Sequence, residues 1–148
     1  MYTNILIATD GSELATRAVE HGLRLAKSVG AGVVFVTVTE IWSALDMAGD
    51  IDKGRLDAVQ AYEDATSRSA EAILAEAQAR AAAMDVTSEI RHIKDRVPAE
   101  GIMETAELED CDLIVMASHG RRGLQRMLIG SQTAEVIALS KRPVLVLR

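Results

Sequence analysis

Short apolar runs separated by stretches of helical character restrict this 148-residue chain to very few folds. The runs are Ile5–Ala8, Val33–Val38, Leu113–Ala117 and Val144–Leu147. Each is almost continuously apolar instead of alternating with polar residues. Such strands are buried on both faces, which is the situation of a parallel sheet covered by helices. A further run, Val86–Ile93, does alternate, and reads as a more exposed strand near an edge, with His92 turned sideways to solvent.

The segments between the runs carry helix signals. Ser12 is a plausible N-cap with Glu13 in the first turn; Leu14, Ala18, Gly22, Leu25 and Val29 follow at helical spacing, and Gly30 is a stop. Residues 55–84 are rich in Ala, Glu, Gln and Arg, with Leu56, Val59, Tyr62, Ile73 and Ala77 marking an inner face. Pro98 suits the first turn of a helix running to about Asp110. Ser131–Ser140 reads as the last helix, and Pro143 leads into the closing strand. The alternation predicts a single α/β domain over residues 1–148. It is a doubly wound five-stranded parallel sheet in the order 3-2-1-4-5, with right-handed crossovers and helices on both faces. Ile41–Gly54, holding Trp42 and Met47, is the irregular stretch: a lid, a partner surface or plain packing.

Charge and composition narrow the function. A net charge of −6 and 3% aromatic residues argue against nucleic acid, which needs a positive footprint and, for single strands, stacking platforms. The opening apolar run of four residues is too short for a signal-peptide core, and nothing approaches a membrane span. A cytoplasmic protein is expected. The lone Cys111 reads as a small buried residue before a strand.

In open α/β sheets ligands bind beyond the carboxyl ends of the strands, where the winding reverses. There the first strand runs into Thr9-Asp10-Gly11-Ser12 and the fourth into Ser118-His119-Gly120. From Gly120 the chain passes Arg121, Arg122, Gly123 and Arg126 and enters the last helix at Gly130-Ser131-Gln132-Thr133. Glycine lets a backbone approach a ligand closely, and a helix start offers free N–H groups with about half a positive charge. Two readings fit: an anion-binding helix start, or turn glycines followed by an N-cap at Ser131. No Walker A loop, dinucleotide fingerprint, nucleophile elbow or metal-ligand spacing is present, and no catalytic machinery is legible.

These residues resemble the universal stress protein family along the whole chain. The resemblance rests on Ile5–Ser12, Asp112–Gly123, Gly130-Ser131 and Arg142–Leu147. ATP-binding members carry Gly, two residues, Gly, nine residues, then Gly with Ser or Thr. Here Gly120, Arg121–Ile129 and Gly130-Ser131 follow that spacing, while Ala117 stands at the first glycine. The resemblance implies a Rossmann-like fold and an ATP site. Ala8, Thr9 and Asp10 would line it, and the backbone of Val38 would meet the adenine. Met116, Ala117, Ser118 and Gly120 would flank ribose and phosphates. Gly130, Ser131, Gln132 and Thr133 would hold the phosphates, with Mg²⁺ accompanying them. It also implies a homodimer through Val144–Leu147, an apolar last strand expected at a sheet edge. The alternatives are a dimeric stress protein that binds no nucleotide and, further off, a slow ATPase.

Overall fold

The strands are β1 (Asn4–Ala8), β2 (Gly32–Thr39), β3 (Ser88–Lys94), β4 (Leu113–Ala117) and β5 (Val144–Leu147). The helices are α1 (Glu13–Val29), α2 (Leu56–Ala83), α3 (Pro98–Leu108) and α4 (Ser131–Leu139). The computed structural model describes residues 1–40, 56–121 and 129–148, with side chains in α2 from residue 59 onward. Ile41–Gly54, including Trp42 and Met47, and Arg122, Gly123 and Arg126 lie outside the described residues.

The strands form a parallel sheet in the order β3-β2-β1-β4-β5, as the alternation predicts. Central β1 pairs Ile5 with Val33 of β2 and with Leu113 of β4. Its side chains then divide by parity. Ile5 and Ile7 join Val33, Phe35, Leu113 and Val115 under α1 and α2, whereas Leu6 and Ala8 join Val34, Val36, Ile114 and Met116 under α3 and α4. Both faces of the central strands are therefore buried, which is why their sequences do not alternate. Gly22 of α1 lets the helix lie on the sheet, since a Cβ there would stand 2.5 Å from Ile7 Cδ1.

Helix α1 begins as expected: Ser12 accepts from the Ala15 N–H, and Gly30 ends the helix at φ 71°. Its buried stripe is Ala15, Ala18, Val19, Gly22, Leu23 and Ala26. That stripe is turned from the expected one; Leu14 and Leu25 only flank the core and Val29 is exposed. Small residues face the sheet because they allow close approach. In α2 the expected inner face also shifts, to Ala70, Leu74, Ala77 and Ala81, with Ile73, Tyr62 and Val59 half-buried. The reason is length. Twenty-eight residues span about 42 Å, more than any strand here, so the first turns of α2 run past the carboxyl end of the sheet.

Strand β3 is the partly exposed edge strand expected, although it starts at Ser88 and leaves Val86 buried before it. His92 corrects the expectation of a solvent-facing side chain. It is half-buried, its Nε2 lies 2.9 Å from Thr39 Oγ1, and burial lowers its pKa, helped by Lys94. Cys111 is fully buried, and burial, with Glu109 and Asp112 nearby, pushes its thiol up to about 12. Among the described residues no helix is long and apolar enough to cross a membrane.

Candidate functional site

The strand order places β1 beside β4, so the winding reverses between them and their following loops frame one crevice. A cleft of about 710 Å³ opens there, within the usual range of about 300–1,000 Å³ for small-molecule sites. It is lined by Ala8, Thr9 and Asp10 after β1, by Val36–Glu40 of β2, and by Met116, Ala117, His119 and Gly120 after β4. Gly130–Thr133 at the start of α4, Pro98 and Ile102 of α3, Tyr62, Thr66, Ser69 and Ile73 of α2, and Arg121 also line it.

Of the residues singled out from sequence, Ala8, Thr9, Asp10, Val38, Met116, Ala117, Gly120, Gly130, Ser131, Gln132 and Thr133 all border the cleft. Ser118 does not border it. It is buried, with Oγ 3.2 Å from Nδ1 of His119, and its neighbour His119 borders the cleft in its place. Ala117 sits in the last position of β4, its backbone pairing with Leu147 of β5 and its side chain packed in the core under α1 and α2. Its φ is not positive, so alanine stands there without strain.

Hydrogen bonds fix the walls. Thr37 Oγ1 donates to the Thr9 carbonyl at 2.7 Å, Thr9 Oγ1 accepts from Gly11 N–H, and Asp10 accepts from Ser12 N–H. On the other side Gly130 N–H donates to the Ser118 carbonyl at 2.7 Å, and Thr133 Oγ1 donates to the Ala117 carbonyl at 2.9 Å. The start of α4 is thereby tied to the end of β4. A Cβ at Gly130 would lie 3.3 Å from the Ser118 carbonyl oxygen and 3.4 Å from His119, so the approach depends on glycine.

The helix starts at this end of the sheet differ electrically. Helix α1 is capped by its own Ser12 and carries Glu13 in its first turn. In α3, Pro98 has no N–H, the Ala99 N–H donates to Gln132 Oε1 at 2.9 Å, and Glu100 sits in the first turn. Helix α4 has Gly130 at the N-cap, no side-chain cap and no acidic residue in its first turn. Ser131 is thus the first helical residue, not the cap. Its first backbone bond is Ala134 N–H to the Gly130 carbonyl, which leaves the N–H groups of Ser131, Gln132 and Thr133 without a partner among the described residues. These three donors, with the exposed Ser131 hydroxyl, form a receptive point for an anion. The Gln132 side-chain oxygen is committed to α3, so its backbone N–H is the group it shares with this helix start.

Sequence reasoning placed His119 in the loop at the crevice but missed the α2 wall. A signal for the wall existed: Tyr62, Thr66, Ser69 and Ile73 recur at helical spacing and all four face the cleft. Among the described residues, no group of three or more His, Cys, Asp or Glu side chains is placed to hold a metal ion.

A doubly wound α/β domain with a cleft at its switch point belongs to the Rossmann-like class of folds, in which ligands bind at that place. The universal stress protein family model matches residues 1–148, and the chain belongs to that family. It is 32% identical over 151 residues to "Universal stress protein in QAH/OAS sulfhydrylase 3'region" of Thermus aquaticus, covering both chains completely. It is 31% identical to universal stress protein MJ0577 of Methanocaldococcus jannaschii, over all of this chain and 96% of that one. The solved structure of MJ0577 superposes with a TM-score of 0.84 over 99% of this chain and 96% of that chain, at 26% identity. A universal stress protein solved in complex with cAMP matches with a TM-score of 0.68 at 26% identity, covering 98% and 95% of the two chains.

Proposed function

We propose that this protein binds ATP in the cleft between the β1 and β4 loops and acts as a nucleotide-dependent regulatory homodimer in the stress response. The observation that carries the reading is the uncapped start of α4. Three amide donors without partners among the described residues, unopposed by a first-turn carboxylate, open into a cleft of nucleotide size. The cAMP complex of a relative supports a nucleotide as the ligand class. In this reading α4 receives the phosphates, and the backbone of Val38 with the apolar side chains of Ile102 and Met116 receives the base. Charge-assisted hydrogen bonds contribute about 1.5–3 kcal/mol each. Three or four of them, less the cost of ordering, support micromolar binding, about 8 kcal/mol. Asp10 is a carboxylate bordering the cleft, and both its oxygens accept backbone N–H groups. Mg²⁺ would therefore be carried chiefly by the phosphate oxygens.

The dimer part of the reading rests on β5. Its four residues are apolar and half-buried along an open edge, beside Ile137 and Leu139 of α4, which are 46% and 63% exposed. Pairing of two such edges would cover them. Equilibrium dialysis against ATP, with cAMP and AMP as parallel arms, tests the ligand. Absence of binding in every arm removes the nucleotide reading and leaves a scaffold role. Light scattering at micromolar concentration tests the dimer.

A further inference from the structure

Two dipeptides face each other across the crevice, Asp10-Gly11 after β1 and Gly120-Arg121 after β4, and each fills the space that the other's glycine leaves. The Asp10 carboxylate accepts from its own loop through Ser12 N–H at 2.9 Å and from the opposite loop through Arg121 N–H at 2.7 Å. A Cβ on Gly120 would lie 2.5 Å from Asp10 Oδ2, and among the described residues, its chain neighbours aside, no atom outside Asp10 stands within 4 Å of it. Conversely, a Cβ on Gly11 would lie 3.0 Å from Arg121 Nη2 and 2.8 Å from Ile73 Cγ1, and Gly11 has φ +77°. Gly120 has no positive φ, so among the described residues it is the Asp10 carboxylate that obstructs a methyl group there.

We infer that Asp10-Gly11 and Gly120-Arg121 form a reciprocal clasp, with Asp10 as a positioning residue that sets the spacing of the two loops framing the ligand cleft. This rests on the proposed ligand cleft for its function, but not for its structure. On this account Gly120 is a glycine to admit a carboxylate of the protein, not to make way for a ligand. Both Asp10 oxygens receive N–H groups, so the clasp needs two acceptors. Asparagine offers one acceptor and would point its own N–H₂ at the second donor. Removing the negative charge alone therefore breaks the clasp, although the shape is kept.

A double-mutant cycle tests this. Gly120→Ala, Asp10→Ala and the double variant are unfolded in urea and titrated with ATP. Gly120→Ala lowers the urea midpoint in the wild-type background. In the Asp10→Ala background it leaves the midpoint unchanged, since the obstructing carboxylate is gone. ATP affinity stays at least tenfold down in the double variant, because stability is rescued and positioning is not. An equal loss of midpoint in both backgrounds overturns the clasp, and wild-type affinity in the double variant overturns the positioning role. If Gly120→Ala does not fold, folding of the double variant supports the clasp. If the double variant also fails while Asp10→Ala folds, the clasp is overturned. Hydrogen exchange gives a further arm: Asp10→Asn speeds exchange of the Arg121 or the Ser12 amide at least tenfold, and unchanged protection of both refutes the need for two acceptors. Should wild-type protein bind no ATP, the nucleotide reading falls, while the urea and exchange arms still decide the clasp.

Discussion

Ser131→Pro tests the anion-receiving role of α4 with little disturbance to the fold. Ser131 is the first helical residue, and its N–H has no partner among the described residues. Proline is favoured at that position because the missing N–H would be unused by the helix. It also requires an extended residue before it, and Gly130 has φ −71° and ψ 158°. The substitution therefore removes one donor from the cleft without removing a hydrogen bond from the protein. If that N–H grips a phosphate oxygen, its loss costs about 1.5–3 kcal/mol, or roughly 10- to 150-fold in Kd. Isothermal titration with ATP measures the effect, Ser131→Ala isolates the hydroxyl, and the urea midpoint reports the fold. The expected outcome is an affinity loss in that range with stability within about 0.5 kcal/mol of wild type. A Ser131→Pro variant that folds and binds ATP as tightly as wild type would refute the idea that α4 receives the phosphates.

Three further outcomes are expected. Gly22→Val drives a side chain into Ile7, 2.5 Å from the new Cβ position, and should destabilise by about 1–3 kcal/mol in urea, and by less when introduced into an Ile7→Ala background. Cys111, fully buried with its thiol pushed up to about 12, should ignore a thiol reagent at pH 8 until the chain unfolds. Because its folded value is raised, the native state holds the proton longer, so stability falls as pH rises above about 8.5; Cys111→Ala flattens that slope. The pKa of His92 is lowered by burial and by Lys94, so on acidification the unfolded chain takes up the proton first. Stability attributable to His92 is intact above about pH 6.5 and declines below it; His92→Gln should remove that part of the acid slope in urea titrations.

The strands, the helix spans and the placement of the crevice were legible because each rests on a local signal or on the alternation of elements. Continuous apolar runs marked β1, β2 and β4 as buried on both sides, and the alternating run marked β3 as an edge. Strand β5 is as apolar as the central strands yet only half-buried, because it lies at the other edge. What the sequence hid depends on distances between segments. The buried stripe of α1 follows small residues (Ala15, Ala18, Gly22, Ala26), whereas a search for large apolar ones points at Leu14 and Leu25. The overhang of α2 follows from comparing a helix length with strand lengths. Asp85, Asp95 and Asp110 turn the chain at φ 57°, 57° and 50° where glycine is the usual cue. The reason Gly120 lacks a side chain lies 110 residues away, in Asp10, as the Asp10–Arg121 bond shows with its separation of 111.

The glutamine that follows Ser131 gives its side-chain oxygen to the Ala99 N–H at the head of α3. Had that donor been left open, two neighbouring helix heads could compete for negative charge, and an elongated anion could settle either way round. With that donor taken by the other helix's side chain, the head of α3 competes less with the start of α4 for negative charge. Under the proposed nucleotide reading, a molecule carrying its charge at one end would enter tail-first toward α4, its orientation set before any base-specific contact forms.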